Sequence, residues 1–220
     1  MQFYASDTLC KVENAVHSRF SLGRMFVKNR PNPRAGEMWA LDNGAFSCFR
    51  QGKPFNAGLF RKRLAATYDT PPQFVMLPDV VGDRETTLKW ANQWLDGHEG
   101  EWPWYLVIQD GMAGEDLAPF WGRIRGLFLG GTDRLKADAQ YWCDLAHSKG
   151  KKFHYGRAST PRKLAHAIRC YSDSADTARI NMMTPKEYSH MLYLIHNPEA
   201  AFYTGDLLSG DNKVAEVPNV

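Results

Sequence analysis

The sequence predicts an α/β protein, a compact (β/α)8 barrel of the TIM type, and three observations carry that prediction. Six apolar runs each end in a polar or glycine pair: MWALDNGAF (38–46), FVMLPDVVGD (74–83), WYLVIQDG (104–111), GLFLGG (126–131), KFHYGR (152–157) and SDSADTAR (172–179). Buried strands that deliver such residues at their C-terminal ends are what a barrel needs to build one site at one rim. Most of the strand-like runs are followed by a helix-like stretch, which means parallel strands with right-handed crossovers. The runner-up, an open doubly wound sheet, lacks its fingerprints, because no GxGxxG follows the first strand and no GxxxxGK followed by Ser or Thr occurs.

Strands are expected near 2–5, 24–28, 38–41, 74–77, 105–108, 126–129, 152–155 and 174–177. Helices are expected over 57–68, 84–95, 133–148 and 160–169, the last with Thr160 as N-cap and Pro161 in its first turn. NRPNPRAG (29–36) reads as a loop, and GDLLSGDNKVAEVPNV from Gly205 as a polar tail. At 220 residues and 44% hydrophobic, the chain accommodates one full core, so residues 1–204 are expected to form a single catalytic domain and 205–220 the tail.

A net charge of +3 is too mild to establish nucleic-acid binding. Basic residues nevertheless cluster as Arg19, Arg24, Lys28, Arg30 and Arg34, as Arg61, Lys62 and Arg63, and as Lys151, Lys152 and Arg157. Each cluster is either a solvated face or a phosphate contact. Cys10, Cys48, Cys143 and Cys170 have neither CxxC spacing nor a nearby histidine pair, so no metal is expected. The N-terminal residues lack the pattern of an export signal, and no run of about 18 apolar residues occurs. A cytoplasmic protein with reduced thiols and no membrane association is the expectation.

Asp42, Asp79, Gln109 and Asp176 stand at or just past the ends of four strands. Two carboxylates can divide substitution at a sugar anomeric carbon, one attacking it and the other moving protons on the exchanged group. A third carboxylate and an amide can read the donor and acceptor atoms on a heterocycle's edge. Each residue has a plainer reading: Asp42 as a turn aspartate in LDNGA, Asp79 and Asp176 as helix caps, and Gln109 as part of a tight QDG loop. Gly130 and Gly131 either form a βα turn or offer backbone N–H groups to a ligand oxygen. His154 reads as a core or rim histidine rather than a base. The seven tryptophans read mainly as helix–sheet packing, while Phe46 or Tyr155 offers a ring for a base to stack on.

In order, LDNGAF, LPDVVGD, VIQDG, LFLGG, HYGRASTPRKL and SDSADT resemble the active-site motifs of the tRNA-guanine transglycosylase (queuine tRNA-ribosyltransferase) superfamily over residues 38–180. The resemblance implies a general acid/base at Asp42, whose motif in the family is D-S-G-G followed by Phe or Tyr. Asn43 and Phe46 of the same motif become substrate-site residues. It implies purine recognition by Asp79 and Gln109, backbone contacts to the base carbonyl from Gly130 and Gly131, and a nucleophile at Asp176. Asn43 and Ala45 replace the family's Ser and Gly, and Thr177-Ala178-Arg179 departs from the segment that follows the family's nucleophile. The chain also has no CxCxxC zinc motif. A short, zinc-free chain resembles the phage-type deazapurine DNA-modification transglycosylases. That branch implies exchange of guanine in DNA for a 7-deazaguanine such as preQ0, without a cofactor. The alternatives are a tRNA enzyme, a small-molecule nucleoside base-exchange or hydrolytic barrel, and a non-catalytic nucleic-acid-binding barrel. The sequence identifies no accessory partner protein.

Overall fold

A computed structural model describes residues 1–6, 22–28, 31–98 and 100–203. The tail expected from 205, Cys10, Arg19 and Arg30 lie outside the described residues. Eight parallel strands form one closed barrel: β1 Gln2–Ser6, β2 Gly23–Phe26, β3 Trp39–Leu41, β4 Val75–Met76, β5 Trp104–Ile108, β6 Gly126–Leu129, β7 Lys152–Tyr155 and β8 Ser174–Thr177. The strands pair in chain order, and β8 closes on β1 with Gln2 opposite Ser174 and Tyr4 opposite Asp176. The open doubly wound alternative is excluded by that closure.

Side-chain alternation divides the core in two. Tyr4, Met25, Ala40, Phe74, Met76, Tyr105, Val107 and Phe128 fill the barrel interior. Their strand neighbours Phe3, Trp39, Leu41, Trp104, Leu106, Ile108, Leu127 and Phe153 face outward in the larger cluster packed under the helices. Two glycines make room for the interior tyrosines. Gly23 is paired with Tyr4 and Gly126 with Tyr105. A Cβ on Gly126 would lie 2.6 Å from Cζ of Tyr105 and 2.7 Å from the Lys152 carbonyl oxygen.

The described α-helices are α1 Ala45–Arg50, α2 Ala57–Ala65, α3 Arg84–His98, α4 Asp133–Ala137, α5 Ala139–Ser148, α6 Pro161–Arg169 and α7 Pro185–His196. The expected helix over 133–148 is interrupted at Asp138, whose N–H bonds back only three residues, to the Leu135 carbonyl at 3.1 Å. Thr160 caps α6 by accepting from the Lys163 N–H, with Pro161 in the first turn. The sequence reading did not include α1 or α7. A signal for α7 was present in TPKE, where Thr184 and Glu187 form a reciprocal capping box.

Among the described residues, each basic cluster has members that are buried or carried apart. Arg24 is buried and bonded to Glu37 at 2.6 Å. Arg63 is buried and donates to the Phe26 carbonyl at 2.7 Å. Lys151 and Lys152 lie at the N-terminal end of β7, while Arg157 follows its C-terminal end, so the strand carries them to opposite rims. Lys152 is paired there with Asp173 at 2.7 Å. No helix among the described residues is long and apolar enough to cross a membrane.

Candidate active site

The C-terminal rim brings the sequence-predicted residues together. Asp42 follows Ala40 by two positions, Gln109 follows Val107 and Asp176 follows Ser174, so each continues the inward-facing row of its own strand. The charges of Asp79 and Asp176 both act on Asp42. Helix capping does not account for Asp79 or Asp176. The cap of α3 is Asp83, which accepts from the Thr86 N–H at 3.0 Å, and Asp176 lies within β8.

Asp176 is buried at the inner wall, and both of its donors fall on one oxygen. Oδ1 accepts from His154 Nε2 at 3.1 Å and from the Arg157 backbone N–H at 2.8 Å. Among the described residues Oδ2 has no hydrogen-bond partner, so one lone-pair-bearing oxygen is left for chemistry. His154 is fully buried, stacked on Phe128 with centroids 4.6 Å apart, and its Nδ1 lies 2.8 Å from Ser174 Oγ. Burial pushes the imidazole pKa down, against the opposing pull of Asp176. A carboxylate at Asp176 only accepts, so the neutral ring donates from Nε2 and accepts the Ser174 hydroxyl proton at Nδ1. The core reading of His154 is met, and the same residue positions Asp176.

Asp79 is buried and held by two amides. Asn43 Nδ2 donates to its Oδ1 at 2.6 Å and Gln109 Nε2 to its Oδ2 at 2.7 Å. Asn43 also donates to the Leu77 carbonyl at 2.6 Å and accepts from the Ala45 N–H at 2.7 Å. Gln109 Oε1 accepts from the Gly82 N–H at 3.2 Å. Burial raises the Asp79 carboxyl to about 6, with the two amide bonds and the Arg157 charge working against it. Each Asp79 oxygen retains a lone pair for an N–H donor of a ligand. Asn43, expected as a substrate contact, has both Nδ2 protons and one Oδ1 lone pair taken by protein groups and helps hold Asp79.

Asp42 is half-buried and accepts from the Gly44 N–H at 2.6 Å, which is the turn role LDNGA allowed. The turn does not exhaust it. Burial lifts its pKa to about 7; the Gly44 bond and Arg63 oppose that rise, while the Asp79 and Asp176 charges add to it. A carboxyl poised near neutrality that feels the charge of a carboxylate with an open oxygen is an arrangement that acid/base and nucleophilic chemistry can use.

The glycine pair departs from expectation in part. The Gly130 N–H is taken by the Ile108 carbonyl at 3.2 Å and is not available to a ligand. It continues the β5–β6 ladder, and a Cβ there would meet Val107 Cγ1 at 3.0 Å. Gly131 adopts φ 55, and its carbonyl accepts from the Arg157 guanidinium. Phe46, 39% exposed, presents its ring at the mouth, with the Arg157 guanidinium carbon 4.8 Å from the ring centroid. Beside the mouth a groove of about 570 Å³ runs between the β5–β6 connection and α4–α5, lined in part by Asp110, Glu115, Arg134 and Tyr141. None of the three site carboxylates lines it.

No protein-family model matches this chain, and no curated protein matches it. Its chemistry is therefore read from the site. Among the described residues no group of three or more His, Cys, Asp and Glu side chains is arranged to hold a metal ion. Sequence reasoning missed Ser174 and the roles of His154 and Arg157. The signal available was HYGR, a strand that ends in glycine and arginine with a histidine on its inward row.

Proposed function

We propose that the protein is a transglycosylase that exchanges guanine in DNA for a 7-deazaguanine base through a covalent aspartyl-glycosyl intermediate. The observation that carries this reading is the pairing at one rim of Asp176, whose Oδ2 is open, with Asp42, whose pKa is lifted to about 7. The resemblance of the ordered motifs to the tRNA-guanine transglycosylase superfamily supplies the substrate class, and its short deazapurine branch favours DNA over tRNA. The barrel fold fits such an enzyme and many others.

The target nucleotide is flipped out of the stack, since C1′ is inaccessible within a duplex. The base lies against Phe46 with its N–H edge toward Asp79. Asp176 Oδ2 attacks C1′ as the bond to guanine N9 breaks; that bond's electron pair leaves with guanine, which takes a proton from Asp42. The product is an ester between Asp176 and C1′. The incoming deazaguanine gives its N9 proton to Asp42 and attacks C1′, and the ester bond returns its electrons to Asp176. Two inversions restore the β configuration. His154 and the Arg157 N–H hold Oδ1 throughout, so that Oδ2 alone points to the reaction.

The test is incorporation of labelled preQ0 into DNA, tRNA and free deoxyguanosine at matched salt. Labelling of DNA alone is expected. Labelling of tRNA alone overturns the substrate, and labelling of nucleoside alone favours the small-molecule reading. No labelling and no protein–DNA adduct on denaturing gels overturns the chemistry.

A further inference from the structure

Arg157 and Phe46 meet at the mouth of the barrel from opposite sides of the closed sheet. Arg157 follows β7, and Phe46 lies in α1 just past β3. In a ring of eight strands closed in chain order, β3 and β7 are four places apart in either direction and so face each other. The Arg157 guanidinium nevertheless lies over the Phe46 ring, 4.8 Å from its centroid, while donating to the Gly131 carbonyl past β6.

Two features set this contact apart from ordinary packing. Arg157 adopts φ 57, a backbone region that favours glycine, yet a long cationic side chain stands there. Its guanidinium meets only neutral groups, a carbonyl and a ring face, and among the described residues no carboxylate pairs with it. Most of its five N–H donors therefore remain for a group rich in acceptor oxygens. The guanidinium rests on the ring proposed to hold the base, and its charge is felt by Asp79 as well as by Asp133 and Lys136.

We propose that Arg157 is a phosphate-operated gate, its guanidinium lying on Phe46 in the free protein and drawn off that ring by the phosphate of an incoming nucleotide. The exchange is favourable because a half-exposed cation–π contact is weak beside a bidentate, charge-assisted guanidinium–phosphate pair. A nucleoside without phosphate must open the same contact with nothing in return. This inference rests on the nucleotide reading above and deepens it, making the phosphodiester the element that admits the base.

The experiment is calorimetric binding of deoxyguanosine and of deoxyguanosine 5′-monophosphate to wild type, Arg157→Gly and Arg157→Lys. Glycine suits the backbone at φ 57 and keeps the N–H that bonds Asp176, and Arg157→Asn, which also tolerates that region, serves as a second variant. Wild type is expected to bind the monophosphate roughly tenfold more tightly than the nucleoside. Arg157→Gly should erase that preference while binding the nucleoside at least as well, and Arg157→Lys should keep part of it. A phosphate preference that persists in Arg157→Gly and Arg157→Asn, or wild-type binding indifferent to phosphate, overturns the gate and leaves the nucleotide reading standing. Failure of wild type to bind either ligand overturns both.

Discussion

Both protein donors to Asp176 converge on Oδ1, from a buried neutral imidazole on one strand and a backbone amide on the next turn. Such one-sided support orients the carboxylate and leaves its other oxygen unbonded, as the proposed nucleophilic role requires. Asp176→Ala should abolish base exchange and the protein–DNA adduct seen on denaturing gels, with the thermal transition retained; exchange at the wild-type rate would remove Asp176 from the chemistry. Asp42 carries a second signature, in pH. Its pKa rises from 3.8 to about 7 on folding, so the folded state binds its proton more tightly than the unfolded chain. The stability it contributes is full below about pH 4 and is lost as pH rises to about 7. Asp42→Asn should therefore stabilise the protein relative to wild type at pH 8, on the order of 2 kcal/mol, and do little at pH 4. Melts at the two pH values check the sign. Turnover of the same variant should fall sharply, since an amide cannot carry the proton.

At the scale of elements, the β3–α1 connection does more than turn the chain. Asn43 bonds both the Leu77 carbonyl and Asp79, tying the rim of β3 to that of β4. Asn43→Ala leaves buried acceptors unpaired and should cost about 1–3 kcal/mol by thermal unfolding. It should also loosen discrimination of guanine from hypoxanthine, which lacks the 2-amino group, because Asp79 loses one of its two supports. Unchanged discrimination would make Asn43 a structural tie only. Strand β6 supplies a prediction independent of function. Gly126→Ala would drive a methyl group against Tyr105 and the Lys152 carbonyl, so it should destabilise the barrel by about 1–3 kcal/mol in denaturant unfolding.

Across the whole molecule, charge is divided between two rims, and the division is testable. Lys152 is paired with Asp173 at the end of the barrel away from the carboxylates. Lys152→Ala should leave DNA affinity and its salt dependence unchanged, whereas loss of the Arg157 charge should lower the salt slope by about one. Titrations at several salt concentrations separate the two. Six of the eight strand positions were legible because a short run there ends in a glycine or polar pair, a purely local signal. The helix at 160–169 was equally legible from Thr160 and Pro161. The division at Asp138 was not, since the sequence there carries no glycine or proline to mark it. Asp42, Asp79, Gln109 and Asp176 could be placed at strand ends from sequence, but their shared field, the bond between His154 and Asp176 and the reach of Arg157 to Phe46 could not. The His154–Asp176 bond follows from the pairing of β7 with β8, whereas the meeting of Arg157 with Phe46 depends on closure, which pairs Gln2 with Ser174 and sets β3 opposite β7. Lys152 and Arg157 look like one basic cluster in the chain, yet a strand rises about 3.3 Å per residue and carries them to opposite ends of the barrel. Local spacing determines which residues can form each strand; only the closed sheet decides which of their side chains meet.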